Sequence, residues 1–155
     1  MIEATTGGLI GASLLSLPGA SRFFISSCVV YSGRGYKEFL PKIVLEKSGV
    51  LMRDSNYKDK SAYVESKRLF VSVVAREMKY KLGADWVIVE SGTSGPDFYI
   101  PGVTSGFTAI GIAGPNNFDM VQTLETNSSD REQNMWSFTR GALNLLNDSL
   151  ETSKL

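Results

Sequence analysis

The residues best placed to do chemistry lie at the front of the chain, where Glu3-Ala4-Thr5-Thr6-Gly7-Gly8 runs into the apolar stretch Leu9-Ile10-Gly11-Ala12-Ser13-Leu14-Leu15 and the stop signal Pro18-Gly19. Two hydroxyls and two glycines at the passage from extended chain to helix would turn backbone N–H groups and the positive helix end toward a ligand. Such a turn can cradle an anion or the oxyanion of acyl transfer. It can equally be an ordinary N-cap followed by glycines that let helices pack closely. A second turn of similar chemistry, Ser91-Gly92-Thr93-Ser94-Gly95-Pro96, follows the apolar run Trp86-Val87-Ile88-Val89.

Composition narrows what these turns can do. The chain has no histidine and a single cysteine, Cys28, which removes disulfide frameworks, Cys/His metal sites and every catalytic triad built on imidazole. Acid–base chemistry must run on Lys, Tyr, Asp or Glu, and nothing calls for a metal or a cofactor. Sixteen basic side chains balance sixteen acidic ones, so no net field draws the chain to nucleic acid or to an anionic membrane. Leu9 to Leu17 could pass for a signal-peptide core, but Glu3 precedes it without Lys or Arg, and Gly11, Ser13 and Ser16 break it. It reads as an internal helix, and the chain as a cytoplasmic protein with a reduced thiol. Asn127-Ser128-Ser129 and Asn147-Asp148-Ser149 fit the glycosylation pattern, which is common by chance.

The elements that must hold the two turns can be read from spacing. At 155 residues the chain is expected to be one domain with its own core. Thr5 or Thr6 is expected to cap a helix running to about Leu17, with Leu9, Ile10, Leu14 and Leu17 on its apolar face. Cys28-Val29-Val30-Tyr31 reads as a strand buried on both faces. Short helices follow at about 36–40 and 43–47, then a polar loop at 53–60. The period of Leu69, Phe70, Val73, Val74, Met78 and Leu82 predicts a long helix over 61–82 closed by Gly83. Lys67, Arg68, Arg76, Lys79 and Lys81 read as its solvated face. A strand over 85–90, an irregular loop at 98–102, a hairpin of 106–113 with 118–126, and a last helix capped by Ser128 or Ser129 complete the series. This order predicts an α/β layered domain with a mixed sheet.

The motifs taken together are similar to a known family. Glu-Ala-Thr-Thr-Gly-Gly-Leu at 3–9, Leu-Pro-Gly-Ala-Ser at 17–21, Val-Val-Tyr-Ser at 29–32, Leu-Gly-Ala-Asp at 82–85, Ser-Gly-Thr-Ser-Gly-Pro at 91–96 and Asp130-Arg131-Glu132 with Ala142-Leu143 come in one order at compatible spacing. Over residues 2 to 146 the chain resembles the C-terminal domain of the competence/damage-inducible protein CinA. That family includes nicotinamide mononucleotide deamidases. The resemblance implies a three-layer α/β/α sandwich, commonly self-associating, that hydrolyses a nucleotide carboxamide to the acid and ammonia. It places catalysis at positions 4, 31 and 37, here Ala4, Tyr31 and Lys37, with Thr5 and Thr6 the candidates to replace the hydroxyl missing at position 4. It places substrate binding at Gly7, Gly8, Ser91, Gly92, Thr93, Ser94, Gly95 and Arg131, with the second turn on the ribose or phosphate and Arg131 pairing the phosphate.

Three departures bear on activity. The family motif reads Glu-Ser-x-Thr-Gly-Gly, and its proposed nucleophilic serine falls on Ala4, whose methyl cannot attack. The family pattern Tyr-Ser-Asn-x-x-Lys becomes Tyr31-Ser32-Gly33-Arg34-Gly35-Tyr36-Lys37, so lysine arrives one residue late, about 100° around a helix. The family's first helix and most of its first strand have no counterpart before Glu3, which would open a gap in the sheet. The resulting expectation is a binding domain for a nicotinamide mononucleotide-like nucleotide with lost or altered deamidase activity. An active amidohydrolase using Thr5, Thr6 or an activated water, and a purely structural or oligomeric member, remain as alternatives.

Overall fold

The computed structural model describes residues 1–49, 57–97 and 100–153. Five strands form one sheet in the order β2-β1-β3-β4-β5: β1 is Ile2–Glu3, β2 Cys28–Val29, β3 Val87–Thr93, β4 Phe107–Ala113 and β5 Asp119–Glu125. β1 runs parallel to β2 and β3, while β3, β4 and β5 are antiparallel neighbours, so the sheet is mixed as expected. The helices are α1 Leu9–Leu15, α2 Gly33–Phe39, α3 Lys42–Lys47, α4 Lys60–Leu82 and α5 Arg131–Thr152. Among the described residues no helix is long and apolar enough to cross a membrane.

The sheet separates two apolar clusters, which makes the architecture an α/β/α sandwich. On one side Phe70, Val71, Val74 and Met78 of α4 pack with Val87, Val89 and Ala109 of the sheet and with Val44 and Leu45 of α3. On the other, Ala142 and Leu145 of α5 pack with Ile10 of α1 and with Ile88, Ile110 and Ile112. Alternate residues of β3 and β4 supply the two clusters, as the two-residue period of a strand requires. Gly111 is where α4 lies closest, because a Cβ there would stand 2.6 Å from the Val71 carbonyl oxygen.

Several local readings are corrected. β2 is an edge strand of two residues rather than a strand buried on both faces: Val29 is 47% exposed and Tyr31 lies beyond the strand, since only β1 flanks it. The first helix ends at Leu15 and has no side-chain cap; Gly8 opens it in the left-handed region, at φ 101°. α5 is capped by Asp130, whose carboxylate accepts from Gln133 N, with Ser128 Oγ accepting from Asp130 N one step earlier. β3 continues through Ser91-Gly92-Thr93, which the sequence reading gave to a turn, because these residues pair with Ala109, Thr108 and Phe107. Leu69 is 47% exposed; Tyr63 and Val71 take the buried stripe of α4 instead. Residues 53–56 of the expected polar loop and 98–99 of the irregular loop lie outside the described residues.

The short β1 sits inside the sheet, between β2 and β3. Its Met1 amine donates to the Ser26 carbonyl at 2.6 Å, and Met1 O accepts from Cys28 N. Beyond Met1 a cavity of about 580 Å3 separates residues 23–26 from the start of β3, lined by Phe23, Ile25, Trp86, Ile88, Leu146 and Leu150 among others.

Candidate functional site

Parallel strands β1, β2 and β3 all end at one edge of the sheet, and the turn at residues 4–8 leaves β1 there. Two buried carboxylates organise that turn. Glu3 of β1, 0% exposed, accepts from Gly8 N (3.0 Å), Ile10 N (3.1 Å), Gly11 N (2.8 Å), Thr6 Oγ1 (2.8 Å) and Ser27 Oγ (2.8 Å). It thereby satisfies the first-turn N–H groups of Ile10 and Gly11, while Leu9 N bonds Thr6 O, which is why the Thr5 and Thr6 hydroxyls are not needed as caps. Glu90 of β3, also 0% exposed, accepts from Ala4 N (3.2 Å), Thr6 N (3.0 Å), Thr108 Oγ1 (2.6 Å) and Thr5 Oγ1, and its carboxylate competes with Glu3 for the single Thr6 hydroxyl proton, at 3.1 Å from Oγ1. The N–H groups of Ala4, Thr6 and Gly8 therefore point at the chain's own carboxylates. Gly7 N adds a turn bond to Ala4 O at 3.3 Å.

Beside this turn lies a cavity of about 290 Å3. Ala4 and Thr5 line it from the turn, Tyr31 from the end of β2, Gly92, Thr93, Gly95 and Asp97 from the end of β3, Tyr36 from α2, Lys67 from α4 and Arg131 from α5. Arg131 closes one side: its guanidinium donates to the Gly95 carbonyl at 2.8 Å and to the Tyr31 hydroxyl at 3.0 Å, and it lies 5.8 Å from the Tyr31 ring centre. Ser94 holds the two turns together by donating to Thr5 O at 3.0 Å. Buried Asn134 of α5 donates in turn to the carbonyls of Ser94 (2.9 Å) and Ser128 (2.7 Å). Ser91 is buried next to the cavity and accepts from Lys67 Nζ at 3.2 Å. Among the described residues no group of three or more acidic or cysteine side chains is placed to hold a metal.

Of the residues singled out in the sequence, the structure brings Ala4, Thr5, Tyr31, Gly92, Thr93, Gly95 and Arg131 to the cavity wall, with Ser91 and Ser94 directly behind. Thr6, Gly7 and Gly8 belong to the turn but not to the wall. Lys37 is exposed on α2; Ser32 caps that helix, and the inward position falls one residue earlier, on Tyr36, whose ring meets Phe70 at 5.1 Å. The sequence reading missed Glu90, Tyr36 and Lys67. A glutamate closing the apolar run Val87-Ile88-Val89 was a usable signal, since a buried carboxylate requires donors. Lys67 lies four residues after buried Tyr63 and three before buried Phe70, which puts it on the inward stripe of α4 rather than on a solvated face.

Burial raises the ionisation of Tyr36 above the ordinary tyrosine value; the neighbouring Ser91 hydroxyl opposes this, and nearby Glu90, Tyr57 and Tyr31 reinforce it. Tyr63, which packs on Phe107, is raised further, again mainly by burial. Both groups contribute stability that is complete below the unfolded-state value near 10 and is lost as pH rises through their folded-state values. Urea unfolding at increasing alkaline pH is expected to show stability falling from about pH 10 upward, with a shallower fall in Tyr63→Phe. An equally steep fall in that variant would contradict the assignment.

Comparisons with known proteins agree with this fold. The family model for the CinA C-terminal domain matches residues 1–150. A CinA-like protein of Prochlorococcus marinus (strain MIT 9215) is 35% identical over 115 residues, covering 74% of this chain and 24% of the relative. One of Synechococcus sp. (strain RCC307) is 29% identical over 151 residues, covering 93% and 31%. The chain thus spans about a quarter to a third of the length of such relatives. Among solved structures, a competence or damage-inducible protein from Enterobacter asburiae superposes with a TM-score of 0.73 at 19% identity, covering 96% of this chain and 84% of that one. A CinA superfamily protein from Klebsiella pneumoniae 700603 gives 0.73 at 20% identity, with 97% and 85% covered. These two likenesses concern the fold; with the family match along nearly its whole length, the chain belongs to the CinA C-terminal domain family.

Proposed function

We propose that this domain binds a nicotinamide mononucleotide-like nucleotide in the cavity beside Ala4 and has lost carboxamide hydrolysis. The observation that carries the reading is the Glu90 carboxylate seated on the N–H groups of Ala4 and Thr6. An oxyanion developing there would meet a negative charge where it needs donors. The methyl of Ala4 removes the nucleophile as well. Binding does not need either, because Arg131, Tyr31, Lys67 and the backbone of residues 92–95 offer polar contacts around a cavity near the lower size limit for small-ligand sites. The same reading has the domain self-associate, as the family resemblance implies, and act in the cytoplasm.

A thermal shift with nicotinamide mononucleotide tests the site. At about 100 times its dissociation constant the ligand adds about 2.7 kcal/mol, and no shift at saturating ligand would count against the site. Ammonia release is expected to stay at background. One observation favours a second reading: Thr5 lines the cavity and donates its hydroxyl to Glu90, a carboxylate able to take that proton if Thr5 attacked a carbonyl. Ammonia release abolished by Thr5→Val would favour it.

A further inference from the structure

Lys67 and Arg131 are the two cationic side chains on the wall of the cavity of about 290 Å3, and they come from helices on opposite faces of the sheet. α4, which carries Lys67, packs with Val87, Val89 and Ala109 on one face, whereas α5, which carries Arg131, packs with Ile88, Ile110 and Ile112 on the other. Alternation along β3 keeps the two faces distinct. Ser91, which accepts from Lys67 Nζ at 3.2 Å, shares the face of Val87 and Val89; Glu90, which bonds the front turn, shares that of Ile88. The acidic residue of the wall is Asp97, so among the described residues lining the cavity positive charge is in excess.

Lys67 is held in place. It is half-buried, donates to Ser91, and has its ammonium 5.4 Å from the Tyr63 ring centre. An ammonium donates hydrogen bonds and accepts none, so a ligand group set against it must be an acceptor. A carboxamide offers one acceptor oxygen and an NH2 whose protons an ammonium repels, while a carboxylate offers two acceptor oxygens and the opposite charge. Hydrogen bonds with both partners charged are the stronger kind, and partial burial limits their screening by salt. At the other wall a guanidinium carries five N–H donors, so the bonds of Arg131 to Gly95 O and the Tyr31 hydroxyl do not exhaust it, and its planar fork suits phosphate oxygens.

We propose that the cavity selects the acid form of the pyridine nucleotide over the carboxamide, with Lys67 holding the ring carboxylate and Arg131 the phosphate. The proposal rests on the nucleotide reading of this cavity and narrows it to one ligand class. The ammonium is not the one anticipated from sequence: α2 presents Tyr36 to the cavity where Lys37 was expected, and α4 supplies the cation instead. The acid is what carboxamide hydrolysis yields, so a domain without that activity depends on another catalyst to form its ligand.

The test is calorimetric titration with nicotinic acid mononucleotide and with nicotinamide mononucleotide, at neutral pH and low salt. The two share the ribose phosphate and the pyridinium ring and differ in the carboxyl group alone. The unaltered chain is expected to bind the acid about tenfold more tightly. Lys67→Met is expected to remove the preference by weakening the acid far more than the amide, and Lys67→Gln serves if that variant does not fold. Lys67→Arg, which keeps a donating cation, is expected to retain most of it. Arg131→Gln is expected to weaken both nucleotides to the same extent and so keep their ratio. Equal affinities, or tighter binding of the amide, overturn the proposal and leave the nucleotide site standing. A preference that survives both neutral Lys67 variants, or one that Arg131→Gln removes, overturns the assignment of Lys67. Binding of neither nucleotide to the unaltered chain overturns the proposal together with the site.

Discussion

Truncating Glu3 to alanine is expected to lower the unfolding free energy by about 3–5 kcal/mol, measured by urea denaturation at neutral pH. The carboxylate is fully buried and takes donors from the backbone at Gly8, Ile10 and Gly11 and from the hydroxyls of Thr6 and Ser27. Each donor left without a partner costs about 1–3 kcal/mol when it stays dry, and relaxation of the turn or entry of water recovers part of the sum. Against a typical domain stability of about 5–15 kcal/mol, the variant stands near the edge of folding. Glu3→Gln keeps one acceptor oxygen but turns an NH2 toward donors, and an intermediate loss is expected. A loss below about 1 kcal/mol for the alanine variant would show that Glu3 does not organise the turn.

Ala4→Ser by itself is expected to leave ammonia release from nicotinamide mononucleotide at background. Restoring a hydroxyl supplies a nucleophile, yet the Ala4 and Thr6 N–H groups remain bonded to Glu90. Removing a single oxyanion donor from a working site costs about 10²–10³-fold in rate, and here those donors face a carboxylate. The double variant Ala4→Ser, Glu90→Ala vacates them, and a rise of about 10²-fold over the serine variant is expected. The hydroxyls of Thr5 and Thr108 lose the Glu90 carboxylate in the double variant, while that of Thr6 keeps Glu3, so its fold must be verified by its unfolding transition. Ammonia release from Ala4→Ser alone would show that Glu90 does not disable the turn.

Much of the fold was legible because its signals are local. The 3.6-residue period of α4, the left-handed stop at Gly83 and the β4–β5 hairpin need only neighbours in sequence, and each was read close to its observed bounds. The family resemblance was legible for a similar reason: ordered short motifs remain recognisable even where Ala4 departs from the family pattern. Cap assignments were less secure, since Thr6 and Glu3 are both plausible partners for helix N–H groups by chemistry. A buried carboxylate prevailed because it can accept several donors at once, and the strand pairing of β1 aims it at them.

The sequence by itself determined the layered α/β class, the membership of the front turn, Tyr31, the second turn and Arg131 in one set of motifs, and the absence of a hydroxyl at Ala4. Only the tertiary structure decided that the backbone N–H groups of the front turn are filled from β3, and that Tyr36 and Lys67, not Lys37, reach the cavity. The physical reason is that hydrogen-bond partners are chosen by proximity across the sheet. Glu90 lies 86 residues from Ala4, and the side of a helix that faces the sheet turns by about 100° for each residue of register.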